Sequence, residues 1–407
     1  MSSQPMPRRL PPLTVALFTA VLATGVAAAP YRPQDDNQVL ERVPARVADP
    51  RARELAALRA AWQRDPRNRE LAVSLARRWF DEALAQGDPR FVGHAQAALA
   101  PWWAEAAPPP EVRVQRARLL QYGHRFDEAL ADLHAVVAAD PADAEAWASI
   151  AGILMVRADY AGARRACDAV APLTTALLAT GCRAYADALR GDSGAAASAL
   201  ARALANAPRG TDRAARLWAL TRLAEIEELR GADREAEAAY RAALALGEPD
   251  VYLGAAYADF LLDRGRAGEA LALLAGARQD AREAARADVL LLRLALAAQA
   301  VGDARAAVWT RELGARFDAA RARGDTTHEK EESRYALALQ RDPARALALA
   351  RSNYAVQREV ADARVLLDAA LAARDRSAAA PVLAWMREHR IAHPRLRALA
   401  QQVETLP

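Results

Sequence analysis

Apolar side chains recur along most of this chain at intervals of three and four, the period of helices with one buried face. Leu55, Leu58 and Trp62 share one face of a helix predicted over residues 51–64. Leu217, Leu220, Leu223 and Ala224 repeat the pattern, and Ala236, Tyr240 and Leu244 answer it in the next segment. Short breaks punctuate these runs: Asp65-Pro66, Asp140-Pro141, Gly191-Asp192, Gly231-Ala232, Gly265-Arg266 and Gly302-Asp303. Glycine and proline end helices there, so the pattern predicts helical hairpins in series. Residues 68–86 pair with 91–100, closed by Pro101-Trp102-Trp103, and residues 251–262 pair with 267–274. The stretch 288–300 is the most apolar, as for a helix buried on both sides. Thr326 or Thr327 is expected to cap a helix from Glu329. Units 329–357 and 360–388 follow, then a helix over 394–403 whose Gln401, Gln402 and Glu404 suit a polar cap.

Alanine supplies the register. Ala95, Ala129, Ala163, Ala196, Ala236, Ala270, Ala307, Ala346 and Ala379 fall at steps close to 34 residues, with a longer step explained by an insertion around Pro208 to Asp212. In the clearest hairpin, Trp147, Ile150, Ala151, Leu154, Ala163 and Cys167 occupy the large–small–large pattern that lets two antiparallel helices approach closely. The unit before it places Ala117, Leu120, Phe126, Ala129, Leu133 and Pro141 in the same slots. This pattern resembles the tetratricopeptide repeat, although Thr175 stands where the family closes a unit with proline. The resemblance covers most of residues 50–390 and is strongest over 110–175 and 213–310. It implies an all-α, right-handed α-α superhelical solenoid of about eight to nine hairpins, each burying its apolar face against its neighbours.

The ends differ from the middle. Arg8 and Arg9 precede the apolar stretch Val15 to Ala28, which is too short for a comfortable membrane span, and Val26-Ala27-Ala28 offers small residues for cleavage. Residues 1–28 are therefore expected to be an export signal, which places the mature chain in a periplasm or outside the cell. The alternative is a retained anchor. Residues 29–49 form a proline-rich arm in which 34–43 could make one short helix, 50–390 the solenoid, and 391–407 a capping helix and tail.

Charge and chemistry narrow the function. Basic residues number 55 against 51 acidic, a net charge of +4 that becomes +2 without Arg8 and Arg9, so no nucleic-acid footprint is present. Lys330 is the only lysine. No glycine-rich phosphate loop, nucleophile elbow or HExxH motif occurs, and no cofactor or metal is expected. His389 and His393 have the spacing of a helical metal pair, but Pro394 and three nearby arginines oppose that use. His124 reads as a turn residue. Cys167 and Cys182 fall on adjacent helices of the repeat frame, where a disulfide and two buried thiols both fit.

The remaining candidate site is the concave face. In tetratricopeptide proteins the first helix of each hairpin lines it, and the resemblance carries this role to Arg118, Gln121, Tyr122, Glu145, Met155, Tyr185, Trp218, Thr221, Glu225 and Glu228. It extends to Tyr252, Asp259, Asp263 and Gln299, with Arg222 and Arg293 at the edge. Aromatic and charged side chains together suit a peptide groove, although Tyr185 and Tyr252 could equally pack between repeats. The lysine and asparagine pattern with which chaperone-binding members clamp a peptide carboxylate is absent. The expectation is a non-enzymatic scaffold that binds a protein or peptide partner in the concave groove in the cell envelope. The alternatives are an accessory subunit of a secretion or polysaccharide-export assembly that uses its convex face, and an enzyme with a degenerate site.

Overall fold

The computed structural model describes residues 50–276 and 281–406. The expected export signal and proline-rich arm lie outside the described residues. The structure is an all-α, tetratricopeptide-like solenoid in which helices pair with their chain neighbours. After Pro50–Arg64, the hairpins are Arg69–Gln86 with Arg90–Ala98, Pro110–Tyr122 with Phe126–Ala139, Ala144–Val156 with Tyr160–Val170, and Ala176–Asp187 with Ser193–Asn206. Arg213–Arg230 with Asp233–Leu244, Val251–Asp263 with Ala267–Ala275, and Asp288–Val301 with Ala306–Ala322 continue the series. Glu329–Ala338 with Pro343–Val356, Val360–Ala372 with Ala380–Glu388, and the helix Pro394–Glu404 end it.

Small residues sit where two helices of a hairpin cross. Ala117 and Ala129, Ala224 and Ala236, and Ala258 and Ala270 are all fully buried, one on each helix of their hairpins. Aspartates start several helices: Asp143 accepts the Ala146 amide at 2.8 Å and Asp250 that of Leu253 at 2.7 Å. Two local expectations fail. Ala307 is exposed, because the second helix of its hairpin begins only at Ala306 and buries Trp309, Leu313 and Phe317 instead. Neither Thr326 nor Thr327 caps the helix at Glu329. Thr327 turns back and donates from its amide (3.0 Å) and its hydroxyl (2.6 Å) to Asp325.

The repeat pattern implies contact between neighbours only, but the last units also pack across the turns of much earlier ones. The Arg358 amide donates to the Val156 carbonyl at 2.8 Å, and Gln357 lies 2.9 Å from the His124 ring. The Trp385 indole donates to the Tyr160 hydroxyl at 3.0 Å, and Arg390 donates to the Arg190 carbonyl at 3.0 Å. Gly231 holds φ 71°, and a Cβ there would stand 2.7 Å from Pro394, so only glycine admits the last helix. On another side, a Cβ at Gly87 would meet that of Ala287 at 2.4 Å. One hydrophobic cluster runs from Tyr160, Leu177, Leu200 and Leu229 into Leu366, Val382, Trp385 and Leu396. Between these seams the first helices of the hairpins surround a central cavity.

Candidate functional site

The cavity has a volume of about 390 Å³ and draws its walls from Ala83 and Tyr122 through Tyr185, Glu228, Asp259 and Arg293 to Glu359 and Leu396. The chamber is a half-open concavity walled by early, middle and late units of the chain. Its aromatic wall is built from consecutive units. The Arg222 guanidinium lies over the rings of Tyr185 (4.7 Å) and Tyr252 (4.8 Å). It pairs with Glu225 at 2.9 Å, and Glu225 also accepts the Tyr252 hydroxyl at 2.5 Å. Tyr252 nevertheless keeps half its surface, 50%, open to the chamber, and Leu84 does the same.

The charged wall is a network of ion pairs. Asp259 takes Arg293 at 2.6 Å and Arg334 at 2.8 Å. Burial alone would raise its carboxyl, but the two guanidiniums outweigh burial and hold it well below the usual carboxylate range. Arg293 reaches Glu331 at 3.6 Å, Arg364 pairs with Asp263 at 2.5 Å, and Lys330 stands 3.6 Å from Asp362. Burial raises the Asp263 carboxyl despite Arg364. Glu228 accepts the Tyr240 hydroxyl at 2.6 Å, and burial pushes its carboxyl up to about 8. Burial also raises Glu225 and Glu359, and with Arg364 and Arg264 nearby it takes the His393 ring down to about 4.

The structure brings together Tyr122, Tyr185, Glu225, Glu228, Tyr252, Asp259, Asp263 and Arg293 in the chamber wall, with Arg222 directly behind. The other groove candidates lie elsewhere. Thr221 is buried, and its hydroxyl bonds the Leu217 carbonyl at 2.9 Å. Trp218 packs on Gly181 between two units, and Met155 packs on the core of the early units. Arg118 stacks on Phe80 at 4.8 Å and pairs with Asp81, and the Gln121 amide lies near Gly152. Glu145 pairs with Arg77, and Gln299 is exposed at the end of its helix. Lys330, Glu331, Glu359, Arg364 and His393 were not anticipated. They arrive from the last units, where the repeat frame is least regular.

Cys167 and Cys182 are joined in a disulfide with Cα atoms 5.6 Å apart, linking the hairpin at 144–170 to the next. His389 packs between Tyr160 and Trp385 while His393 faces the chamber, so the two do not act as a pair. Among the described residues no three metal-ligating side chains gather, and no helix is long and apolar enough to cross a membrane.

No family model matches the chain, and no curated protein matches its sequence. Solved structures do. A tetratricopeptide repeat protein from Parabacteroides merdae is 14% identical with a TM-score of 0.43 over 59% of this chain and 92% of that one. The human IFIT1 dimer with PPP-AAAA is 15% identical with a TM-score of 0.44 over 86% of this chain and 87% of that one. Naa15/Naa10 bound to HypK-THB gives 14% and a TM-score of 0.30, over 88% of this chain and 60% of that one.

Proposed function

We propose that this protein is a non-enzymatic interaction scaffold that contacts a protein or peptide partner through the central chamber. The observation that carries this reading is the solvent-facing apolar surface of Tyr252 and Leu84 at the middle of an otherwise packed solenoid. Exposed apolar surface in a concave site is what a ligand covers. A volume near 390 Å³ suits a side chain or a chain end. A whole helix, about 10 Å across, would need the closing contacts to open. The partner therefore inserts a short segment and rests its bulk on the rim. Export directed by residues 1–28 would place this encounter in the cell envelope. The mass of protein recovered from an envelope fraction tests that step, and a chain beginning at Ala29 is the expected result.

Affinity capture from envelope extract tests the scaffold reading, using the chain from residue 29. Tyr252→Ala removes the exposed chamber ring. Val308→Arg alters a 51% exposed position on an outer helix. A partner lost with Tyr252→Ala and kept with Val308→Arg is expected. The opposite pattern would move the contact to the outer face and favour the accessory-subunit reading.

A further inference from the structure

We infer that the chamber receives an organic cation, a guanidinium or alkylammonium group of the kind an arginine or lysine side chain presents, between Tyr252 and the carboxylates of Glu225, Glu228 and Glu359. The inference deepens the reading of the chamber as the partner contact, and rests on it for the source of the cation.

The pairing in the walls is uneven. Every cation facing the chamber already has a carboxylate: Arg293 has Asp259 at 2.6 Å, Arg364 has Asp263 at 2.5 Å, and Lys330 has Asp362 at 3.6 Å. The carboxylates are less well served. Among the described residues no arginine or lysine forms an ion pair with Glu359, whose side chain instead takes the backbone amide at the start of Val360–Ala372. Glu228 accepts a neutral hydroxyl and has a single guanidinium partner, that of Arg264, at 3.7 Å. Glu225 has a single cation, Arg222, whose guanidinium lies 2.9 Å from its Oε2 atom. Seven carboxylates line the chamber against three arginine or lysine side chains, and a ligand with several N–H donors and a positive charge offsets that excess.

A second observation is independent of the acids. Tyr252 offers open ring surface within the same chamber. The wall also contains one filled example of the recognition inferred: Arg222 held between two tyrosine rings with Glu225 against its guanidinium. Aromatic faces and a desolvated carboxylate are the two elements that bind organic cations in water-poor sites.

The raised carboxyls supply a signature. Around Glu228 stand Glu225 on its own helix, Tyr240 on the following helix, and Asp263 and Arg264 at the end of Val251–Asp263. Burial and the neighbouring acids keep a proton there near neutral pH. A bound cation displaces that proton, so binding strengthens as pH rises toward 8.

Calorimetric titration of the chain from residue 29 tests this with three probes. These are agmatine, the blocked peptide acetyl-Gly-Arg-Gly-amide, and its neutral counterpart with citrulline in place of arginine. Both cations are expected to bind and citrulline at least about tenfold more weakly. Affinity should rise by up to about tenfold per pH unit between pH 6 and 8, with proton release visible as a buffer-dependent heat. Glu228→Gln and Glu359→Gln keep the shape and remove the negative charge, and each should weaken cation binding about tenfold while the protein still unfolds in one cooperative transition. Equal affinity for the citrulline peptide, no binding of either cation at millimolar concentration, or indifference to both glutamine variants would overturn the inference. Agmatine binding without the arginine peptide would uphold the cation site and reject the peptide as its source. A partner captured through Tyr252 alongside cation-blind calorimetry would uphold the scaffold reading and reject the cation site.

Discussion

Trp385 joins the last hairpin to one more than two hundred residues earlier, and its removal tests whether the solenoid is closed. The ring is 5% exposed, and its N–H donates at 3.0 Å to the hydroxyl of Tyr160, itself 1% exposed. Truncation to alanine loses a large buried ring, leaves a void and strips the Tyr160 hydroxyl of its donor. Substitutions of this kind cost about 3–5 kcal/mol. Tyr160→Phe removes only the hydroxyl and should cost about 1 kcal/mol. In a double-mutant cycle the two losses should fall short of additive by roughly that hydrogen-bond contribution, as contacting residues do. The more informative assay is amide hydrogen exchange. In a solenoid whose units meet only their neighbours, damage at Trp385 spreads to adjacent units alone. In the closed arrangement, Trp385→Ala raises exchange across Ala144–Val156 and Tyr160–Val170 as well as across Ala380–Glu388. Faster exchange confined to residues 360–404, with the Tyr160 region unchanged, would refute the closure.

Four further outcomes are expected. Reducing the Cys167–Cys182 bond, which spans a separation of 15 residues, should lower unfolding stability in denaturant by about 3 kcal/mol, and a Cys167→Ala/Cys182→Ala variant should lose its sensitivity to reductant. Gly181→Ala should destabilise by about 1–3 kcal/mol despite alanine's better helix propensity, because the new Cβ would stand 2.4 Å from the Trp218 ring, and Trp218→Leu should relieve the loss in thermal melts. Glu228 has a carboxyl raised from 4.5 to about 8, so its contribution to stability is complete below about pH 4.5 and is lost as pH rises through 8. Glu228→Gln should flatten stability against pH over that window, and a parallel decline in both proteins would show that another group titrates there. Asp259 has the opposite sign: its carboxyl is held low, so its contribution is present at neutral pH and lost on acidification.

Much of the helical framework is legible in the chain. Close crossing of two helices needs a small side chain, and Ala129, Ala163 and Ala236 mark those crossings with full burial. Ala307 misleads because the turn after Gly302 runs longer than the repeat pattern allows, which shifts the buried face to Trp309. The site was legible in part. Tyr185, Glu225, Tyr252 and Asp259 project where a first helix should place them. Thr221 does not, because it stands one turn from Leu217 and its hydroxyl satisfies that residue's carbonyl. Trp218 does not, because Gly181 on the neighbouring helix leaves a space that its ring fills.

The sequence by itself determined the hairpins, their small-residue crossings and the concave positions of the middle units, since these depend on contacts one repeat apart. It could not determine how far the helices coil before distant units meet. Tertiary structure alone decided that the last units return to Val156, Tyr160 and Gly231, and that Lys330, Glu359 and Arg364 complete a chamber begun by Tyr185 and Glu225. The reason is geometric. Each repeat adds a small rotation to the one before, and the closure depends on the sum of those rotations, which no single repeat encodes.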